Sequence, residues 1–111
     1  MNVTLVLKEP QKKAYAKLMG NELEDLQEYV EGYIQPINIP RTNLTIFCNE
    51  EGKYKNLKPN IALGNDVIVG NILIVKMDGD IIPGLTLEEQ RIAKEIADKA
   101  ALTEDLEWLF K

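Results

Sequence analysis

Five residues of the types that hold small ligands could be gathered around one pocket beside Gly64 in this chain of 111 residues. Asn49, Lys53, Asn60, Asn65 and Asp66 offer amides, a cation and a carboxylate beside Gly64, and a few such groups converging on one pocket are enough to orient a ligand. Tyr33 and Tyr54 add aromatic faces on which a flat base could stack, so the set suits sequestration of a small nucleotide-like ligand. The plainer reading is local: Asn60 and Asn65 serve turns, and Asp66 caps backbone amides before its strand. Glu50 or Glu51 with Asp66 would be the acid/base pair if this were an enzyme, but nothing in the sequence brings them together. No catalytic residue is assigned.

Composition closes most other chemistry. The chain has no histidine and one cysteine, which excludes His-based triads, a tetrahedral zinc or copper site within one chain, and an intramolecular disulfide. Cys48 ends the strand-like run Leu44-Thr-Ile-Phe-Cys48 without a cationic activator and reads as a buried structural thiol. Asp78-Gly79-Asp80 starts like a calcium loop but lacks the later ligands, so it reads as a tight turn. Neither a metal nor a cofactor is expected.

A net charge of -5 and a pI near 4.8 make direct nucleic-acid binding unfavourable. The acidic groups are uneven: Glu22, Glu24, Asp25, Glu28 and Glu31 share one helical stretch with no Lys or Arg, while Lys12, Lys13 and Lys17 precede it. Facing water, Glu24, Glu28 and Glu31 would suit a basic groove on a protein, or act as a weak DNA mimic. The bland alternative is a face that keeps the protein in solution. A second contact surface is the apolar end, where Leu106, Trp108, Leu109 and Phe110 follow Thr103 as a helix cap. It would fold back on its own core, enter a partner's groove, or join two copies as a homodimer.

The elements that must position these groups follow from periodicity and turn chemistry. The length suits one domain with one core. Val3–Lys8 and Ala14–Leu18 read as a hairpin with a basic tip at Glu9–Lys13. Asn21 is the expected helix cap, with Glu24 reaching back to it, Leu23, Leu26 and Val30 on the inward face, and Gly32 as the left-handed stop. Tyr33–Ile39 and Leu44–Cys48 read as strands joined by Pro40–Asn43, with Pro36 marking an edge or a bulge. Asn49–Lys53 reads as a glycine turn and Asn56–Asn60 as irregular, and Asp66–Lys76 gives a further strand pair hinged at Gly70. Thr86 and Glu89 open a second helix with the stripe Ile92, Ala93, Ile96, Ala97, Ala100, its other face paired as Lys94 with Asp98 and Glu95 with Lys99. No apolar run approaches the roughly 20 residues that cross a bilayer. The N-terminus, without a basic leader, reads as the first strand of a cytoplasmic protein.

The order of these parts resembles a known family, the domain of unknown function 3846, found mainly in bacteriophages and bacterial mobile elements. The resemblance lies in the N-terminal strand, Leu23-Glu-Asp-Leu-Gln-Glu-Tyr-Val-Glu-Gly-Tyr-Ile34, Phe47-Cys-Asn-Glu-Glu-Gly-Lys53, and Pro59-Asn60 followed by Leu63-Gly64, Asp66-Val-Ile68 and Gly70. It covers roughly residues 1 to 80 and leaves the helical tail after Pro83 outside. It implies a phage or mobile-element setting and supplies no activity or catalytic residue.

The expected architecture is α+β: an antiparallel or mixed sheet of about five or six strands, two main helices on one face, and a short C-terminal helix. Residues 1–83 would form the core and 84–111 an extension packed on it or on a partner. The expected function is a non-enzymatic accessory protein that binds a host protein, with inhibition of a host defence system as one use of that binding, and with the nucleotide-like sponge and the DNA mimic as alternatives.

Overall fold

A computed structural model of the chain describes residues 1–102. The expected C-terminal helix and the contact residues Leu106, Trp108, Leu109 and Phe110 lie outside the described residues. Strands β1 (Asn2–Lys8) and β2 (Tyr15–Gly20) lead into helix α1 (Leu23–Val30). Strands β3 (Ile34–Asn38), β4 (Leu44–Asn49), β5 (Pro59–Leu63), β6 (Asp66–Val69) and β7 (Ile72–Lys76) follow, and helix α2 (Leu87–Lys99) closes the order. The architecture is α+β, with a five-stranded antiparallel sheet in the order β2-β1-β7-β4-β3 and a separate two-stranded sheet of β5 and β6.

The hairpin β1–β2 forms in the expected register, Val3 opposite Met19 and Leu7 opposite Tyr15. Pro36 is indeed on an edge strand. Its partner β4 is buried along its whole length, as a strand covered on both faces should be. Three other expectations are corrected. Pro59 and Asn60, the end of the stretch 56–60 read as irregular, open a strand that runs to Leu63, because Asn60 satisfies its amide inside the fold and need not stay in water. The two halves of Asp66–Lys76 do not pair with each other: Gly70, at φ +79°, turns the chain so that β6 joins β5 while β7 enters the centre of the main sheet.

The helices, moreover, cover opposite faces of the sheet. Alternate residues of a strand point to opposite sides, and the register places Val6, Ile74 and Ile46 on one face and Leu7, Leu73 and Phe47 on the other. Lys8 and Lys76 share the first face, where they bond Asn60 of β5 and Glu89 of α2. Asn49 shares the second, where it bonds the end of α1. The main sheet is therefore a central layer, roofed on one side by α1 and on the other by α2 and the β5–β6 hairpin.

Helix α1 starts and stops one residue away from the expected positions. Asn21 is spent elsewhere, its amide donating to the Ile82 carbonyl at 2.9 Å, so Glu22 becomes the cap and Asp25 accepts its N–H at 3.1 Å. The left-handed residue at the end is Glu31, at φ +64°. Gly32 is needed for space, since a Cβ there would lie 2.7 Å from the Asn49 amide nitrogen. Leu23 is 59 % exposed: the inward stripe begins one turn later, at Leu26 and Val30. In α2 the capping box holds, with Glu89 N–H donating to Thr86 Oγ1 at 3.1 Å and Thr86 N–H to Glu89 Oε1 at 2.9 Å. Ala93 and Ala97 are fully buried and belong to the same core as β1. On its outer face Arg91 pairs with Glu88 and Glu95 in place of the expected couples, and Asp98 instead accepts the Ala14 N–H at 2.8 Å.

Candidate functional site

The site begins with the turn that follows β4. Asn49 is buried, and its amide donates to the Val30 and Glu31 carbonyls at 3.0 and 3.1 Å while its oxygen accepts the Glu51 N–H at 2.8 Å. One side chain thus ties off the end of α1 and starts a loop that closes through Lys55 N–H to Glu51 O at 2.9 Å and Leu57 N–H to Gly52 O at 3.0 Å. That loop presses on β6: a Cβ on Gly52 would meet Val69 Cγ2 at 2.7 Å. Between the loop, the edge of the main sheet and β6 lies a cleft of about 460 Å³.

Of the five candidate ligand groups, Asn49, Lys53 and Asp66 line this cleft. Lys53 and Asp66 close on each other at 2.5 Å across the loop and β6, both largely in solvent. Asn60 is not there. It is wholly buried between the sheets, donating to the Lys8 carbonyl at 2.8 Å and the Gly70 carbonyl at 2.7 Å and accepting from Lys8 Nζ at 2.6 Å. Asn65 lies exposed in the β5–β6 turn beside Gly64 and does not line the cleft. Glu50 and Glu51 do line it, so the three carboxylates of the conceivable acid/base set share one cavity with a single ammonium. Tyr54 also lines it and is exposed, whereas Tyr33 is exposed but does not line it.

The chemistry of this cleft is that of an acidic recess. Three carboxylates against one lysine, itself paired, repel an anion and favour a neutral or cationic guest. Cys48 forms part of the floor, donating weakly to the Gln35 carbonyl at 3.6 Å. Burial pushes its thiol up to about 11, and the nearby Asp66 charge adds to the rise, which fits an unreactive side chain. Gln35 and Ile37, also in the lining, had no signal in the sequence, because only the folding of the β5–β6 hairpin over the sheet brings β3 to β6.

A residue group that sequence reasoning missed entirely sits at the other end of the molecule. Glu9 Oε2 accepts hydrogen bonds from Tyr15 at 2.9 Å and from Tyr29. Burial and then the Glu9 bond raise the Tyr29 phenol far above its ordinary range. The cluster joins the β1–β2 hairpin to α1. Lys8, one residue earlier and on the opposite face, is buried with no ion pair among the described residues, and burial lowers its pKa.

The protein-contact candidates are all exposed, Glu24 and Glu28 on α1 and Glu31 at its C-terminal cap. None of them enters an ion pair within the described residues, whereas Glu88 and Glu95 of α2 are matched by Arg91 and Glu89 by Lys76. Among the described residues no group of three or more Cys, Asp or Glu side chains is placed to hold a metal ion, and no helix is long and apolar enough to cross a membrane. No curated protein and no solved structure matches the chain. The family model described as Domain of unknown function (DUF3846) matches residues 1–100, which extends the likeness beyond Pro83 and takes in α2, as that helix's share of the core requires. The chain belongs to the domain of unknown function 3846 family.

Proposed function

We propose that this protein is a non-enzymatic accessory factor of a phage or mobile element that binds a host protein through the outer face of α1, with inhibition of a host defence system as one use of that binding. The observation that carries the reading is the contrast between the two helices. Glu24, Glu28 and Glu31 stand in solvent without an ion pair among the described residues, while α2 pairs Glu88 and Glu95 with Arg91 and ties Glu89 to Lys76 at 3.0 Å. An exposed row of one sign steers a basic partner and sets its register. The exposed Leu23 beside it supplies an apolar contact at the rim. Affinity capture from a bacterial lysate, followed by binding of the recovered protein to Glu24→Lys/Glu28→Lys, tests this. Binding should fall with rising salt and be lost in the double variant at an unchanged melting temperature; equal binding by the variant refutes the assignment.

A second reading rests on the cleft. Its volume and its lining of Lys53, Asp66 and Tyr54 suit a small ligand, and the excess of carboxylate favours one whose recognised part is neutral or cationic, such as a nucleobase, over a polyphosphate. A thermal-shift panel of nucleosides and cyclic nucleotides tests it. A shift removed by Asp66→Ala supports the sponge, and no shift from any member of the panel counts against it.

A further inference from the structure

The main sheet has two edges, and they are not alike. In β3 the hydrogen bonds Glu50 N–H to Tyr33 O at 2.8 Å and Ile39 N–H to Leu44 O at 3.0 Å show that odd-numbered residues face β4. Even-numbered ones therefore face outward, and the middle one is Pro36, which has no N–H to offer. That edge is guarded. In β2, Asn21 N–H donates to Met1 O at 3.1 Å, so the odd residues face β1 and the outward groups belong to Ala16, Leu18 and Gly20. No proline or bulge interrupts this edge among the described residues; Ala16, Lys17 and Leu18 are exposed, Leu18 at 63 %, and only Gly20, half-buried beside the Asp25 carboxylate, is approached by α1. An edge of that kind is a template for another strand.

We propose that this edge pairs with β2 of a second copy, antiparallel about a two-fold axis at Leu18, so that two five-stranded sheets become one continuous sheet. This register satisfies the outward N–H and C=O groups of all three residues: Leu18 faces the partner's Leu18, and Ala16 faces the partner's Gly20. It also sets Lys17 opposite the partner's Met19, keeping the two lysines from standing directly opposed, where like charges are destabilising. Charge favours the same arrangement. Lys17 and Met19 project on the α1 side, where they line a groove with Asp25, Glu28 and Glu31, three carboxylates against one ammonium. A two-fold normal to the sheet brings the partner's Lys17 to this same side, beside Met19, as the second cation. A register centred on Lys17 would stack the lysines and leave Gly20 unpaired. The pairing does not rest on the host-protein reading.

Cysteine crosslinking of the full chain tests it. Residues facing each other in a hydrogen-bonded antiparallel pair have Cα atoms about 5.5 Å apart, within the span of a disulfide. Leu18→Cys should therefore oxidise to a covalent dimer. Ala16→Cys should not, because the two copies of residue 16 would stand four residues apart along the strand, roughly 13 Å. Buried Cys48 does not compete. Leu18→Pro removes only an outward N–H and should leave a folded protein that sediments as a monomer at concentrations where the wild type is a dimer. A wild type that stays monomeric throughout, or Ala16→Cys crosslinking as readily as Leu18→Cys, overturns the proposal.

Discussion

Replacing Asn60 by alanine probes the contact that joins the two sheets. Asn60 Nδ2 supplies hydrogen bonds to the Lys8 and Gly70 carbonyls, at 2.8 and 2.7 Å, and Oδ1 receives one from the Lys8 ammonium at 2.6 Å. A neutral buried bond is worth about 1 kcal/mol and one to a charged group about 1.5–3 kcal/mol. The sum is about 3–5 kcal/mol. The upper end applies because, among the described residues, Lys8 Nζ otherwise reaches only the Glu9 carbonyl at 3.4 Å, too long to hold a buried cation. Against the roughly 5–15 kcal/mol that keeps a domain folded, such a loss should be visible as a large drop in the urea midpoint, followed by far-UV circular dichroism at neutral pH.

The mechanism makes a sharper statement about the double variant. If the damage comes from a stranded charge, removing the charge should undo much of it, since replacing both partners by apolar groups of similar shape is close to neutral. Lys8→Met/Asn60→Leu should recover at least about 2 kcal/mol relative to Asn60→Ala. An Asn60→Ala protein that loses less than about 1 kcal/mol, or a cycle that is simply additive, refutes the reasoning. Loss of a ligand's thermal shift with stability intact would instead return Asn60 to the binding groups.

Glu89 is held down to about 2, first by the Thr86 N–H and then by Lys76 and Asn43. Because its folded value lies below the ordinary one, its contribution is complete above about pH 4.5 and fades as pH falls toward 2. Glu89→Gln should cost about 1–2 kcal/mol at pH 7, a figure reduced for solvent screening of the partly exposed pair, and should flatten the acid limb of stability against pH. An unchanged acid limb would show that the capping box and the Lys76 bond are not coupled to folding. Gly70→Ala should destabilise by more than Gly64→Ala. Both have positive φ, but only at Gly70 would the new Cβ meet a neighbour, Leu57 Cδ1 at 2.8 Å; equal melting temperatures for the two would contradict this. Cys48 should resist alkylation by iodoacetamide at pH 8 in the native protein and react on unfolding; fast labelling of the native state would disprove its burial.

What could be read from the residues was what local chemistry decides. The β1–β2 hairpin, the Thr86–Glu89 box, the edge position of Pro36 and the buried place of Cys48 all follow from a few neighbouring residues. The failures came where a distant group changed the outcome. Asn21 looked like a cap until Ile82 claimed its amide, and Gly32 looked like a left-handed stop although its real constraint is the Asn49 side chain. Residues 59–63 lacked a strand signature because Asn60 is a polar residue in a buried place, tolerable only with Lys8 and Gly70 brought in from β1 and the β6–β7 hinge. For the same reason Asn49, Lys53 and Asp66 could be grouped from sequence but Asn60 could not be separated from them. The face on which α2 lies is also a long-range matter, settled by Lys76 with Glu89 and by the alanines against β1.

The asparagines explain why amide chemistry is a poor guide to function here. Asn21 donates to Ile82, Asn49 to Val30 and Glu31, Asn60 to Lys8 and Gly70, and Asn71 to Tyr29, each time to a backbone carbonyl far away in sequence. Carbonyls at helix ends and hinges need donors when they are buried, and a short side chain with a fixed amide meets that need at little entropic cost. Four residues that resemble ligand-binding groups are thereby consumed in joining α1, the hairpin and the segment before α2 to the central sheet. Among the described residues, the polar groups on which the proposals above draw are of a different kind: the carboxylates of α1, those around the cleft, and the outward peptide groups of β2. The first attracts a basic surface, the second a neutral or cationic guest, and the third another strand. Under the proposals above, basic proteins and strand donors come before polyphosphates as partners, and charge reversal on α1 set beside Leu18→Pro in β2 separates the two surfaces in one binding experiment.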